Sequence, residues 1–205
     1  MKKIISLFQR NYDGDRLVRD EVVPGAEWVL AGEGRATRKF DGTCCMVRDG
    51  KLFKRYDAKA GKTPPAGFEA AQEPDATTGH WPGWLPVGDG PEDRWHREAF
   101  GRGMHIVWEN GGQQGIPDGS YELCGPKIQG NPEGYSEHYL VKHGGHHLDI
   151  LHEGKRVPRD FDGIKDYLEQ QSFEGIVWHH PDGRMVKIKR KDFFKPAGRT
   201  RRTGA

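Results

Sequence analysis

Two stretches of this chain leave little freedom in how they fold: "TCCMVRDGKLFKRYD" and "EGIVWHHPDGRMVKIKR". Each sets two strand-like, largely apolar runs on either side of a turn signal, Asp49-Gly50 in the first and Pro181-Asp182-Gly183 in the second. Asp-Gly adopts the positive φ angles of a tight turn at little steric cost, so both stretches are predicted to be antiparallel hairpins. Around them, "KKIISLF" reads as a first strand, "AEWVLAGEGRATRKF" as an extended segment leading to Lys39, and "GSYELCGPKI" as a further strand. "PEDRWHREAF" starts with residues suited to a helix N-terminus, Pro91, Glu92 and Asp93. In "RDFDGIKDYLEQQ", Phe161, Ile164, Tyr167 and Leu168 recur at helical spacing. The stretch from Lys59 to Pro91, rich in Gly, Pro and Trp, is expected to be a long irregular excursion. The expected class is therefore α+β: antiparallel β-sheets flanked by two helices, one domain over residues 1–205.

Charge and cysteine content narrow the setting. A net charge of +2 excludes a general polycation, and the basic excess is local. It lies between Arg184 and Arg202, where Asp192 is the only acid. Such a cluster suits phosphate, a solvated tail being the other reading. Of the three cysteines, Cys44 and Cys45 are adjacent and would face opposite sides of a strand, which gives neither a disulfide framework nor metal-ligand spacing. A reducing, cytoplasmic setting is expected. No apolar run approaches a membrane span, and "MKKIISLFQRNYDGDR" has too short an apolar core for a signal peptide, so no membrane partner is expected.

Just ahead of the first hairpin stands Lys39-Phe40-Asp41-Gly42, a K-x-D-G pattern. Alone it fits an exposed strand residue entering a turn as well as it fits a covalent nucleophile. Three further segments follow: Tyr121-Glu122-Leu123, then Glu174-Gly175-Ile176-Val177, then Lys187-Ile188-Lys189. Together, in this order, they match the arrangement of motifs in ATP-dependent ligases and capping enzymes. The chemistry explains the residue types. A lysine that attacks the α-phosphate of ATP must be neutral, although a free amine is protonated at pH 7. Nearby cations favour the neutral form, and the same cations stabilise charge on the phosphates during transfer. Lys187 and Lys189, two apart on a strand, point to one face. Glu174 opens the neighbouring strand, where a carboxylate can hold Mg²⁺ (or Mn²⁺) against phosphates, and Glu122 can take ribose hydroxyls or metal-bound water.

The segments "KFDGTCC", "GHWPGWLPV", "ELCGPKIQGNPEG", "HYLVKHG" and "EGIVWHHPDGRMVKIKR" resemble the small ATP-dependent 5′-3′ RNA ligase family known from vertebrates, with bacterial and viral relatives. The resemblance runs from about Arg38 to Phe193. It implies a nucleotidyltransferase (ATP-grasp-like) domain and a three-step reaction on RNA with 5′-phosphate and 3′-hydroxyl ends. It also implies Lys39 as nucleophile, Glu174 at the metal, and Lys187 and Lys189 on the phosphates. Arg55 and Glu122 would contact the nucleotide sugar or phosphate, and Tyr139 is the candidate for stacking on adenine.

Departures from the wider superfamily matter as well. Many DNA ligases continue K-x-D-G-x-R; here that position is Cys44, so the arginine's role is expected to fall to Arg55. About sixteen residues follow Lys189, too few for an appended OB-fold domain, which argues against a DNA nick ligase or a GTP-dependent capping guanylyltransferase. A catalytically inert nucleotide- or RNA-binding relative is the non-enzyme alternative, against which the joint presence of Lys39, Glu174, Lys187 and Lys189 speaks. The tail at 195–205 either adds phosphate contacts or is disordered. Histidines in "VKHGGHHLDILH" match no standard zinc spacing and have no cysteine near in sequence; His143 and Gly144 are expected to shape the nucleotide pocket. In the Trp-rich segment, core packing is the expected role of Trp81 and Trp84, base stacking the other.

Overall fold

A computed structural model of the chain describes residues 3–59, 61–103, 115–148 and 156–194. The basic tail and residues 149–155 of the histidine-rich segment lie outside them. In chain order come β1 (Ile5–Ser6), β2 (Phe8–Arg10), β3 (Val18–Val22), a single helical turn α1 (Glu27–Leu30) and β4 (Arg35–Lys39). The first hairpin follows as β5 (Thr43–Arg48) and β6 (Lys51–Lys59), then β7 (Glu69–Ala70) and β8 (His80–Pro86). A 3₁₀ turn at Pro91–Asp93 leads into α2 (Arg94–Gly103), followed by β9 (Gly119–Cys124) and β10 (Tyr139–Lys142). Last come α3 (Phe161–Glu169), the second hairpin β11 (Gly175–His179) and β12 (Met185–Lys189), and the turn α4 (Arg190–Phe193). The protein is thus mixed α+β with predominantly antiparallel sheets.

The chain forms two compact units, one of Ile4–Lys39 with the described residues from His147 onward, the other of Phe40–His146 with Lys3. In the first, a four-stranded sheet runs in the order β1-β12-β11-β4. One face carries Ile176, Trp178, Val186 and Ile188, packed with Phe8, Trp28, Ile164 and Leu168. Helix α3 supplies the last two, four residues apart on one face, and its N-terminus is capped by Asp160, whose carboxylate accepts from the Gly163 amide at 2.8 Å. The second unit is a six-stranded antiparallel sheet, β10-β9-β5-β6-β8-β7. Its core sets Cys45, Val47, Leu52, Tyr121 and Leu123 against Ala99, with Trp95 and Phe100 of α2 at the margin.

Both hairpins form as the turn signals predict; at the first, Asp49 and Gly50 have φ of 51° and 68°, the paired positive angles of a type I′ turn. Four local expectations are corrected. The "KKIISLF" strand breaks at Leu7, because its N–H donates to the Lys187 carbonyl while its own carbonyl accepts from Val23. Thus β1 joins the four-stranded sheet, in its one parallel pairing among the described strands, and β2 pairs with β3. "EWVL" is helical rather than extended, since a turn of helix puts both Trp28 and Val29 into the core. The single turn α4, with buried Phe193, joins the two helices expected. Finally, the Trp-rich stretch is not irregular throughout: β8 pairs along its length with β6, and the Ala71 amide donates to the Pro82 carbonyl at 2.9 Å. Burial overrides the two prolines there. Trp84 is in the core, and Trp81 donates its indole N–H to the Gln72 carbonyl. No helix among the described residues is long and apolar enough to cross a membrane.

Candidate functional site

Strand register gathers the lysines. Lys39 at the end of β4 lies opposite Gly175, which in turn lies opposite Lys189 on β12. Three strand ends therefore meet, and Glu174 stands just ahead of Gly175. A side chain at 175 is excluded: a Cβ there would come 2.1 Å from the Ile188 carbonyl oxygen. The Glu174 carboxylate accepts from both lysines, at 2.5 Å from Lys39 Nζ and 2.5 Å from Lys189 Nζ. With side-chain exposures of 19% for Lys39, 9% for Glu174 and 23% for Lys189, the triad is largely shielded from water.

The electrostatics of this cluster are concentrated. Burial alone would raise the Glu174 carboxyl, but the Lys39 and Lys189 ammonium groups outweigh it and hold the group below its ordinary range. Lys187, two residues before Lys189 on the same face, falls from 10.5 to about 8. Burial is the main cause, with the charges of Lys189 and Lys39 next; Glu174 and Asp192 pull the other way. Asp192 caps the end of β12 by accepting from the Lys189 amide at 2.9 Å, and it is paired with Arg10. Lys39, Glu174, Lys187 and Lys189, far apart in sequence, are thus one cluster.

The remaining residues singled out from sequence belong to the six-stranded sheet. Gly42 passes so close to β9 that a Cβ would lie 2.2 Å from the Leu123 carbonyl oxygen, and its amide donates to Glu122 Oε1 at 3.1 Å. The Asp41 amide donates to Glu133, in the "GNPEG" segment, at 2.8 Å. Two backbone amides of K-x-D-G are therefore held by carboxylates. Glu122, buried, lies directly opposite Cys44 on β5 and is 2.9 Å from His143 Nε2. Arg55 is opposite Trp84, its guanidinium carbon 5.4 Å from the ring centroid. Tyr139 is on the edge strand β10 with 37% of its surface exposed, its ring against Tyr135 and its hydroxyl donating to Glu137. Sequence reasoning missed two features here: the bracing of Asp41 by Glu133, and the meeting of Cys44, Glu122 and His143. Positions 44, 122 and 143 form no motif, so only strand pairing reveals the second.

No protein-family model matches the chain. Curated proteins do. "RNA ligase 1" of Danio rerio is 26% identical over 218 aligned positions, covering 76% of this chain. "RNA ligase 1" of Mus musculus is 28% identical over 217, again 76% of the chain, and that of Rattus norvegicus 27% over 216. The chain is thus similar to RNA ligase 1 proteins over about three quarters of its length. The alignments take in 66%, 65% and 66% of these relatives, so the chain spans just under two thirds of the length of the RNA ligase 1 proteins it matches.

Proposed function

We propose that the chain is an ATP-dependent RNA ligase of the nucleotidyltransferase type, with Lys39 as its nucleophile. The observation that carries this reading is the Lys39–Glu174–Lys189 triad with Lys187 beside it, in a chain similar to RNA ligase 1 proteins. Lys39 Nζ attacks the α-phosphorus of ATP. A nitrogen–phosphorus bond forms, the α–β bridging bond breaks, and pyrophosphate leaves. AMP then passes to an RNA 5′-phosphate, and an RNA 3′-hydroxyl displaces it to form the phosphodiester.

Each member of the cluster has a task in the first step. Lys187 and Lys189 offer fixed positive charge to the β- and γ-phosphates as pyrophosphate departs. The Lys39 amine attacks through its nitrogen lone pair, so its proton is given up before the bond forms. Glu174 holds the two flanking ammonium groups in place until the nucleotide arrives. Its oxygen-only donor atoms, joined by phosphate oxygens and water, fit Mg²⁺ or Mn²⁺, and a bound ion means that a lysine contact gives way. Such an ion would add charge neutralisation at the phosphates. Glu122 and Arg55 keep the nucleotide-contacting role that the family resemblance implies, and Tyr139 that of adenine stacking. None of the three cysteines is joined in a disulfide, which suits the cytoplasm as the proposed setting.

The test is covalent labelling. Incubation with α-labelled ATP and Mg²⁺ is expected to leave label on the protein through a denaturing gel, and Lys39→Ala to leave none. No label from either ATP or GTP supports an inert relative and overturns the proposal. Label from GTP alone supports a capping enzyme, and label that survives Lys39→Ala removes Lys39 as nucleophile. Sealing of RNA but not DNA strands, with 5′-phosphate and 3′-hydroxyl ends, is then expected.

A further inference from the structure

Within the six-stranded sheet, Cys44, Glu122 and His143 bring three different ligand atoms together: a sulfur, a carboxylate oxygen and an imidazole nitrogen, all within 4.8 Å of one another. Two features of the sheet put them there. Cys44 and Glu122 are direct cross-strand neighbours on β5 and β9, and such pairs bring side chains into contact on one face. Beyond the end of β10, the His143 amide donates to the Ser120 carbonyl at 3.0 Å, which turns the ring back to within 2.9 Å of Glu122 Oε2. We propose that Cys44, Glu122 and His143 form a binding site for a Zn²⁺-class divalent cation, with one coordination position left open.

The donor set selects the ion. A thiolate disfavours Mg²⁺ and Ca²⁺, which take oxygen, whereas sulfur, imidazole and carboxylate together suit Zn²⁺ and its neighbours. Metal–ligand bonds of about 2.0–2.3 Å at tetrahedral angles require donors about 3.3–3.8 Å apart. With one pair at 2.9 Å and all three donors within 4.8 Å, small side-chain rotations suffice to complete the site. His143 presents Nε2 to the Glu122 carboxylate at 2.9 Å, so Nε2 is the ring nitrogen that faces the ion. Three protein ligands leave a fourth position for water or an oxygen of a bound molecule. On binding, Cys44 gives up its proton and the hydrogen bond between His143 and Glu122 is exchanged for two metal bonds. This site is separate in chemistry from the Glu174 cluster, whose donors are oxygen only.

The test is spectroscopic and independent of ligation. Full-length protein, stripped with chelator under a non-thiol reductant, is titrated with Co²⁺. A thiolate-to-cobalt charge-transfer band and four-coordinate visible bands are expected, saturating at one ion per chain and bleached by Zn²⁺. Cys44→Ser, a near-isosteric change at a half-buried position, is expected to lose the charge-transfer band. His143→Gln and Glu122→Gln are each expected to weaken Zn²⁺ binding at least about tenfold, the loss that even outer partners cause. Cys124→Ser is expected to keep the band. Absence of the band in wild type, its survival in Cys44→Ser, or its loss in Cys124→Ser with Cys44 intact overturns the proposal. Circular dichroism of each variant separates loss of ligand from loss of fold.

Discussion

Lys187 is expected to cost the protein stability, and the cost has a pH signature. Its pKa in the folded protein is about 8 against 10.5 ordinarily, because burial and the charges of Lys189 and Lys39 disfavour its ammonium. A shift of this size corresponds to about 3 kcal/mol of destabilisation when the group must be charged, at about 1.4 kcal/mol per pH unit. At pH 7 both folded and unfolded states hold the proton, so the full penalty applies. As pH rises through about 8 the folded state releases the proton while the unfolded chain still binds it, so stability rises with pH up to about 10.5. Lys187→Met keeps the apolar stem and removes the charge. At pH 7 it is expected to be about 2–3 kcal/mol more stable than wild type, the lower figure allowing for solvent screening. The gap should close as pH approaches 10.5. Urea denaturation of both proteins at several pH values measures the difference, and groups common to both cancel. Covalent labelling by ATP should fall by about 10²-fold or more in the same variant, the scale set by removing one charge-stabilising donor. A gap that does not change with pH, or a variant less stable than wild type at pH 7, would refute this account of the cluster.

Other perturbations address the same architecture. Glu174→Gln removes the anion between two lysines and is expected to cost about 2–4 kcal/mol in thermal or chemical denaturation, as for breaking a partly buried ion pair. An unchanged midpoint would show that the lysines find other partners. The same variant should lower the Lys187 pKa further, visible by NMR titration, since the Glu174 charge is among the influences that raise it. Gly42→Ala forces a Cβ against the Leu123 carbonyl and is expected to cost about 1–3 kcal/mol, readable by calorimetry; a neutral result would mean that the backbone yields freely. Lys189→Ala should slow the formation of lysyl-AMP more than the sealing of pre-adenylated RNA, because pyrophosphate departs only in the first. Equal losses would count against its proposed role at the phosphates.

Much of the candidate site was legible because it is built on short-range rules. Asp-Gly turn chemistry and period-two alternation announce both hairpins, and a hairpin's turn dictates its register. Once β11 and β12 pair, Glu174 and Lys189 stand at the same end of the sheet, and the order of the motifs marks Lys39 as their companion. Less legible were segments whose state depends on distant partners. "EWVL" takes a helical turn because Trp28 and Val29 are both buried, and β8 is a strand despite Pro82 and Pro86 because β6 lies beside it. In β8 the prolines oppose the observed state, and tertiary pairing and burial outweigh them.

By itself, then, the sequence determined the α+β class, the two hairpins, the helix α3, and the lysine and glutamate residues around which the proposed chemistry is organised. The first three follow from turn geometry and periodicity, which act over a few residues, and the last from the order of four short motifs and the family they resemble. Tertiary structure alone decided that Glu174 bridges Lys39 and Lys189, that Lys187 is the lysine brought down to about 8, and that Cys44, Glu122 and His143 meet. Each of these depends on which strands become neighbours and how much water they exclude. Pairing and burial are properties of the whole folded chain, so no local stretch of sequence carries them.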